Sequence, residues 1–177
     1  MKLTQEDFYC GAFLSYLLNN GIVPALFEDR AALNRKVYDF TTDKGDFRVY
    51  VKSSENPASK SDMKNSSIWN FPFTDAQIDE LRTLHVTNKQ LYFAFVCGQS
   101  ELKNSKIAVI PADIALRCID IHRERKYKTQ SIKIKYVKGE WDFSVYGTAR
   151  DDKSNGQDTS FKVRVKNIDK LFSRESA

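Results

Sequence analysis

The spacing of apolar and polar positions changes several times along the chain, and each change marks an element. After Thr4, apolar residues recur at helical spacing, with Phe13, Leu14, Leu17 and Leu18 on one side. Thr4 is a good N-cap, and Asp7 three residues on makes a short capping box. Glu6 lies in the first turn, where negative charge suits the helix dipole. Asn19-Asn20-Gly21 stops the helix, because Gly21 takes the left-handed conformation without strain. Residues 22–27 are short and apolar, with Pro24 arguing for an edge strand or irregular start. Residues 28–34 are a polar connection. Then the period becomes two. Val37, Tyr38 and Phe40 form one strand and Phe47, Val49 and Val51 the next, with Asp43-Lys44-Gly45-Asp46 as the turn. Alternation sets Arg48, Tyr50 and Lys52 on the opposite face of the second strand. The polar stretch 53–67 reads as a loop, long for a connector.

Trp69, Phe71 and Phe73 form an aromatic cluster that either packs beneath this loop or stacks on bases. Thr74 caps a helix reaching about residue 84, with Ile78, Leu81 and Leu84 on its apolar side. Residues 90–97 are nearly all apolar, as in a strand covered on both faces. Residues 106–110 are another apolar strand, and Pro111 opens a helix predicted to reach about residue 122. The final third alternates differently. Ile132, Ile134 and Tyr136 interleave with Lys133 and Lys135, residues 141–146 complete a hairpin, and residues 150–159 read as a disordered loop. Phe161, Val163 and Val165 alternate with Lys162, Arg164 and Lys166. The order of elements predicts an α/β fold with a mixed central sheet. Residues 1–122 hold the α/β core, and residues 123–177 form a basic, β-rich C-terminal extension of the same domain.

At 177 residues the chain makes one domain, which buries about 70% of its unfolded surface. No apolar run is long enough to cross a membrane, and the N-terminus lacks the pattern of a signal peptide. Cys10, Cys97 and Cys118 are unpaired in spacing and fit buried thiols of a cytoplasmic protein. The formal net charge of +5 permits a polyanionic partner without demanding one. Between Arg123 and Gly139, seven Lys or Arg face the single acid Glu124. The lysines of the last strands either protect sheet edges or make a cationic face for a phosphate backbone. Arg48, Lys60, Lys64, Lys133, Lys135, Lys162, Arg164 and Lys166 are therefore the candidate nucleic-acid contacts. With only His85 and His122, and no HExxH, GxSxG or P-loop pattern, zinc, serine-hydrolase and NTPase chemistry find no support.

Three pieces carry a resemblance. They are the opening helix EDFYCGAFLSYLLNNGI with its early acid, the strand acid in VYDF, and the lysine closing FRVYVKSS. Together they resemble the PD-(D/E)XK nuclease superfamily over about residues 4–97. That resemblance implies a restriction-endonuclease-like αβββαβ core, Mg²⁺ as cofactor, cleavage of DNA or RNA phosphodiesters, and often a homodimer. Carried across by position, Asp39 matches the metal-binding aspartate, Lys52 the lysine, and Glu6 the helix carboxylate that some members add. The pattern asks for Glu, Asp or Gln two residues before the lysine, where this chain has Tyr50. A phenol is a poor ligand for a hard cation at neutral pH. Asp39, Glu6 and the Val51 carbonyl remain as metal ligands, completed by waters and substrate oxygens. Glu55, just past the strand, is the one nearby acid that could fold back.

Three expectations follow. The chain is a Mg²⁺-dependent nuclease acting on nucleic acid, DNA first. Or it is a catalytically inactive module that binds nucleic acid on the same scaffold. Or it binds a protein partner, such as another part of a phage or bacterial defence assembly, through the surface around Trp69.

Overall fold

The computed structural model describes residues 2–26, 36–85 and 90–172. In chain order the elements are α1 (Gln5–Asn19), β1 (Ala25–Leu26), β2 (Lys36–Thr42), β3 (Gly45–Ser54), β4 (Ser59–Ser61), β5 (Ser66–Phe73) and α2 (Asp75–His85). They continue with β6 (Gln90–Cys97), β7 (Lys106–Pro111), α3 (Ala112–Ala115), β8 (Gln130–Val137), β9 (Asp142–Gly147), β10 (Lys153–Ser154), β11 (Gln157–Asp158), β12 (Phe161–Arg164) and α4 (Asn167–Phe172). The polar connection 28–34 lies outside the described residues, as does the side chain of His85.

Two five-stranded sheets form the body, ordered β1-β2-β3-β6-β7 and β12-β9-β8-β5-β4. The first is mixed. β1, β2 and β3 form an antiparallel meander, β6 runs parallel to β3, and β7 is antiparallel to β6. The second is antiparallel throughout. It joins β4 and β5 to β8, β9 and β12, so residues on both sides of position 122 share it. A parallel pair needs a crossover. Here β4, β5 and α2 supply it between β3 and β6.

Period-two alternation builds three layers. Phe40, Phe47, Val49, Val51, Val96 and Val109 turn one face of the first sheet toward Phe13 and Leu17 of α1 and Ile168 and Phe172 of α4. The other face, with Val37, Tyr50, Phe93, Phe95 and Ile110, meets Trp69, Phe71, Ile132, Ile134, Phe143 and Val145 of the second sheet. α2 closes that layer with Ile78, Leu81 and Leu84. β6 is buried on both faces, as its unbroken apolar run predicts.

The capping box forms as expected: the Thr4 hydroxyl accepts from the Asp7 N–H (3.2 Å) and the Asp7 carboxylate from the Thr4 N–H (3.0 Å). The helix buries a slightly different stripe, Tyr9, Cys10, Phe13 and Leu17, and leaves Leu18 exposed. Three expectations are corrected. The loop 53–67 contains β4 and leads into β5, with Trp69, Phe71 and Phe73 as inward positions of a strand. The helix after Pro111 stops after one turn. Cys118, Ile119 and Ile121 are buried beyond its end by irregular backbone, and Asp120 accepts the Arg125 N–H (2.8 Å) to turn the chain away. The stretch 150–159 is ordered as the β10–β11 hairpin, with Asn155 and Gly156 both left-handed (φ 50° and 78°), as a type I′ turn requires.

Candidate functional site

A cavity of about 450 Å³ opens beside the C-terminal end of β3, near the first turns of α1 and α2. In open α/β sheets, ligands bind at the carboxyl ends of parallel strands. β3 and its parallel neighbour β6 end together here, with Ser54 paired to Cys97. Glu6, Tyr9, Lys52, Glu55, Pro72 and Gln77 line the cavity. The backbone behind it is tight. Gly98 donates its N–H to the Ser54 carbonyl (2.7 Å), and its carbonyl accepts the Trp69 indole N–H (2.7 Å). A Cβ on Gly98 would meet the Glu55 carbonyl at 2.5 Å and the Tyr9 ring at 2.9 Å.

Lys52 is the chemical centre of this cavity. Its ammonium donates to the Gln77 amide oxygen (3.3 Å) and stands 4.6 Å from the centre of the Phe73 ring. The same Gln77 oxygen accepts the Thr74 N–H (3.0 Å), so the cap of α2 also orients the lysine's partner. Burial pushes the Lys52 pKa down to about 8, against the opposing pull of the Glu6 carboxylate. On the far wall, burial and then the charge of Glu55 raise the Tyr9 pKa. Glu6, Glu55 and Lys52 thus share one recess.

Asp39 does not join them. The hairpin register sets it opposite Arg48, four residues short of Lys52 and so about 13 Å away along the strand. Arg48 grips it with two parallel bonds, Nε to Oδ1 (2.8 Å) and an Nη to Oδ2 (3.0 Å). Arg48 is itself buried and ion-paired, so it offers no phosphate contact at the surface. Tyr50 is buried between Phe73 and Phe93 and cannot stand in for a ligand. Val51 sits inside the ladder between Lys36 and Ala94. The Mg²⁺ set expected from Asp39, Glu6 and Val51 therefore does not assemble. Among the described residues, no group of three or more His, Cys, Asp or Glu is arranged to hold a metal.

The basic residues divide by face. Register puts Lys135, Ser144 and Lys162 in one row across the outer face of the second sheet, with Ile68 of β5 beside Lys135. The adjacent row holds Asn70, Lys133 and Tyr146. Neighbouring strands are about 4.8 Å apart, so Lys133 and Lys135 lie within about one Debye length of each other and of Lys162. Asp158 accepts from Lys162 (2.6 Å), which holds the Asp158 pKa at about 2, and Arg164 pairs with Asp142 (3.3 Å). Lys133 and Lys135 have no carboxylate partner among the described residues. Lys60 pairs with Ser67 and so faces the other side of the sheet, Lys64 lies in the β4–β5 turn, and Lys166 follows β12.

Tyr9 and Gln77 are site residues that sequence reasoning did not raise, and Glu55 is one it raised without placing among the ligands. Gln77 carries a readable signal, since Thr74-Asp75-Ala76-Gln77 is a capping box. Glu55 was visible as the acid just past the strand, and the end of β3 at Ser54 brings it to the cavity. Trp69 is fully buried, which removes it from any protein-binding surface. No helix among the described residues is long and apolar enough to cross a membrane. No family model, curated protein or solved structure matches the chain.

Proposed function

We propose that this protein binds nucleic acid through the outer face of its second sheet, on a nuclease-like α/β scaffold and without a divalent metal. The observation that carries the reading is the pair Lys133 and Lys135 on β8, which have no carboxylate partner among the described residues, with Lys162 of β12 beside them but held by Asp158. Such a face neutralises successive phosphates and releases their counterions. The nuclease-like scaffold is supported by the element order. α1 is followed by the meander β1-β2-β3 and, after the crossover, by β6 parallel to β3. This is the αβββαβ order that the PD-(D/E)XK resemblance implies, with β4 and β5 inserted. Independence from metal is supported by Asp39, held by Arg48, and by Tyr50, packed in the core. In a gel-shift assay with labelled duplex DNA, single-stranded DNA and RNA in EDTA, the wild type should bind. Lys133→Glu/Lys135→Glu should bind at least about tenfold more weakly. Equal binding by the double variant would refute the reading.

One observation favours a second reading, in which the cavity at Lys52 hydrolyses phosphodiesters. Glu6 and Glu55 share that recess with a lysine whose pKa is about 8. The two carboxylates would hold Mg²⁺ with waters and substrate oxygens, and the ion would supply charge for the transition state. Lys52 would orient the attacking water. Metal-dependent cleavage lost in Lys52→Ala and Glu6→Gln, but kept in Asp39→Asn, would establish this reading over the first.

A further inference from the structure

A second cavity, of about 580 Å³, lies at one end of the two-sheet layer, away from Lys52. The start of β7, the end of β8, the β8–β9 turn, the end of β12 and α4 all contribute to it. Its walls are apolar and aromatic, from Tyr136, Trp141 and Val165. Its rim carries four cations, Lys106, Arg164, Lys166 and Lys170, against one carboxylate, Glu140.

Two features here have no structural explanation. Trp141 is 72% exposed, although an indole in water gives up the burial that usually justifies the residue. It is nevertheless held in place. Its carbonyl accepts the Val165 N–H (2.9 Å), fixing the turn to the end of β12, and Gly139 supplies the left-handed residue (φ 90°) that the turn needs. The second feature is unbalanced charge. Arg164 is paired with Asp142, but Lys106, Lys166 and Lys170 have no carboxylate partner among the described residues. Lys106 is held over the Tyr136 ring, 4.6 Å from its centre, with its ammonium at the cavity wall.

An open aromatic face beside unpaired ammonium groups matches a flat base joined to a phosphate. We infer that this cavity binds a nucleotide unit, its base stacked on Trp141 and its phosphate met by Lys106, Lys166 and Lys170. An apolar protein segment would fit the walls but not this rim. The inference rests on the nucleic-acid reading for the source of the nucleotide, which is a single strand. Lys162 and Arg164 alternate along β12, so the cationic face of the second sheet leads to the rim of the cavity. A duplex keeps its bases stacked and cannot offer one here.

The chain has two tryptophans, and the other, Trp69, is fully buried with its N–H bonded. Ligand-dependent quenching of exposed tryptophan emission therefore reports on Trp141. The probes are a short oligothymidylate, a duplex of equal length, AMP and inorganic phosphate, at low salt in EDTA. The oligothymidylate should quench the emission, and Trp141→Ala, with an unchanged circular dichroism spectrum, should bind it about tenfold more weakly. Duplex affinity should be unaffected by Trp141→Ala, and Lys166→Ala/Lys170→Ala should weaken single-strand binding. Wild-type affinity for the oligothymidylate in Trp141→Ala would overturn the inference while leaving the sheet-face reading intact. Quenching by AMP without binding of any strand would sink the sheet-face reading and assign the cavity to a free nucleotide. Quenching by inorganic phosphate alone, equal to that by AMP, would remove the base from the account.

Discussion

Asp39 and Lys52 show how two residues that read alike as site candidates part company once their surroundings are known. Asp39 is a structural anion. Its bidentate pair with Arg48 is largely buried, with side chains 17% and 7% exposed. Removing one partner of such a pair strands the other charge, typically at a cost of 3–5 kcal/mol when fully buried. Asp39→Ala should lose roughly 2–4 kcal/mol in urea unfolding while leaving nucleic-acid affinity unchanged; Asp39→Val/Arg48→Leu should recover much of the loss. Lys52, in contrast, is destabilising in its charged form. Its pKa falls from 10.5 to about 8 on folding. Between those values the unfolded chain holds the extra proton, so this group makes stability rise with pH across that window. Lys52→Met should be more stable than wild type at pH 7. By pH 10 the wild type should have regained on the order of 2 kcal/mol relative to it. A difference that stays flat with pH would show that Lys52 titrates normally. The sequence made Asp39, Lys52 and Glu6 visible as one set. It could not show that Asp39 belongs elsewhere, because strand register depends on where the turn closes.

At the level of elements, the Lys52 cavity depends on β3 and β6 closing on each other behind it. Gly98 has no room for a methyl group, because two backbone carbonyls lie within 2.8 Å of where it would go. Gly98→Ala should therefore lower stability by roughly 1–3 kcal/mol, in the range of overpacked positions. It should also disturb the Lys52 site, read as a loss of the pH dependence just described. Most elements were legible. The helix caps, the β2–β3 hairpin and the all-apolar β6 each had a distinct local pattern. β5 was missed although Trp69, Phe71 and Phe73 repeat with period two, because a polar stretch before them looked like a loop. The β10–β11 hairpin was missed in the same way, although Asn155-Gly156 is a strong turn signal. The helix predicted after Pro111 failed for the opposite reason: its apolar residues are buried by irregular backbone, which has no period to read.

For the whole molecule, the division of labour between the two sheets follows from which faces are covered. α1 and α4 cover one face of the first sheet and the second sheet covers the other. Among the described residues, the outer face of the second sheet has Lys133 and Lys135 half-buried, Lys162 exposed and Tyr146 buried. That face carries the cations, and its strands come from distant parts of the chain, β5 from the core span and β8, β9 and β12 from the basic span. Sequence alone identified the lysines but not their common plane, since Lys60 and Lys135 lie on opposite faces of one sheet. The most direct test is the affinity for labelled nucleic acid in EDTA, followed by fluorescence anisotropy as salt is raised from about 50 to 200 mM. We expect log affinity to fall linearly with log salt, with a slope reduced by about one for each of Lys133→Ala and Lys135→Ala. Binding that requires Mg²⁺, or a salt slope untouched by both substitutions, would contradict the account.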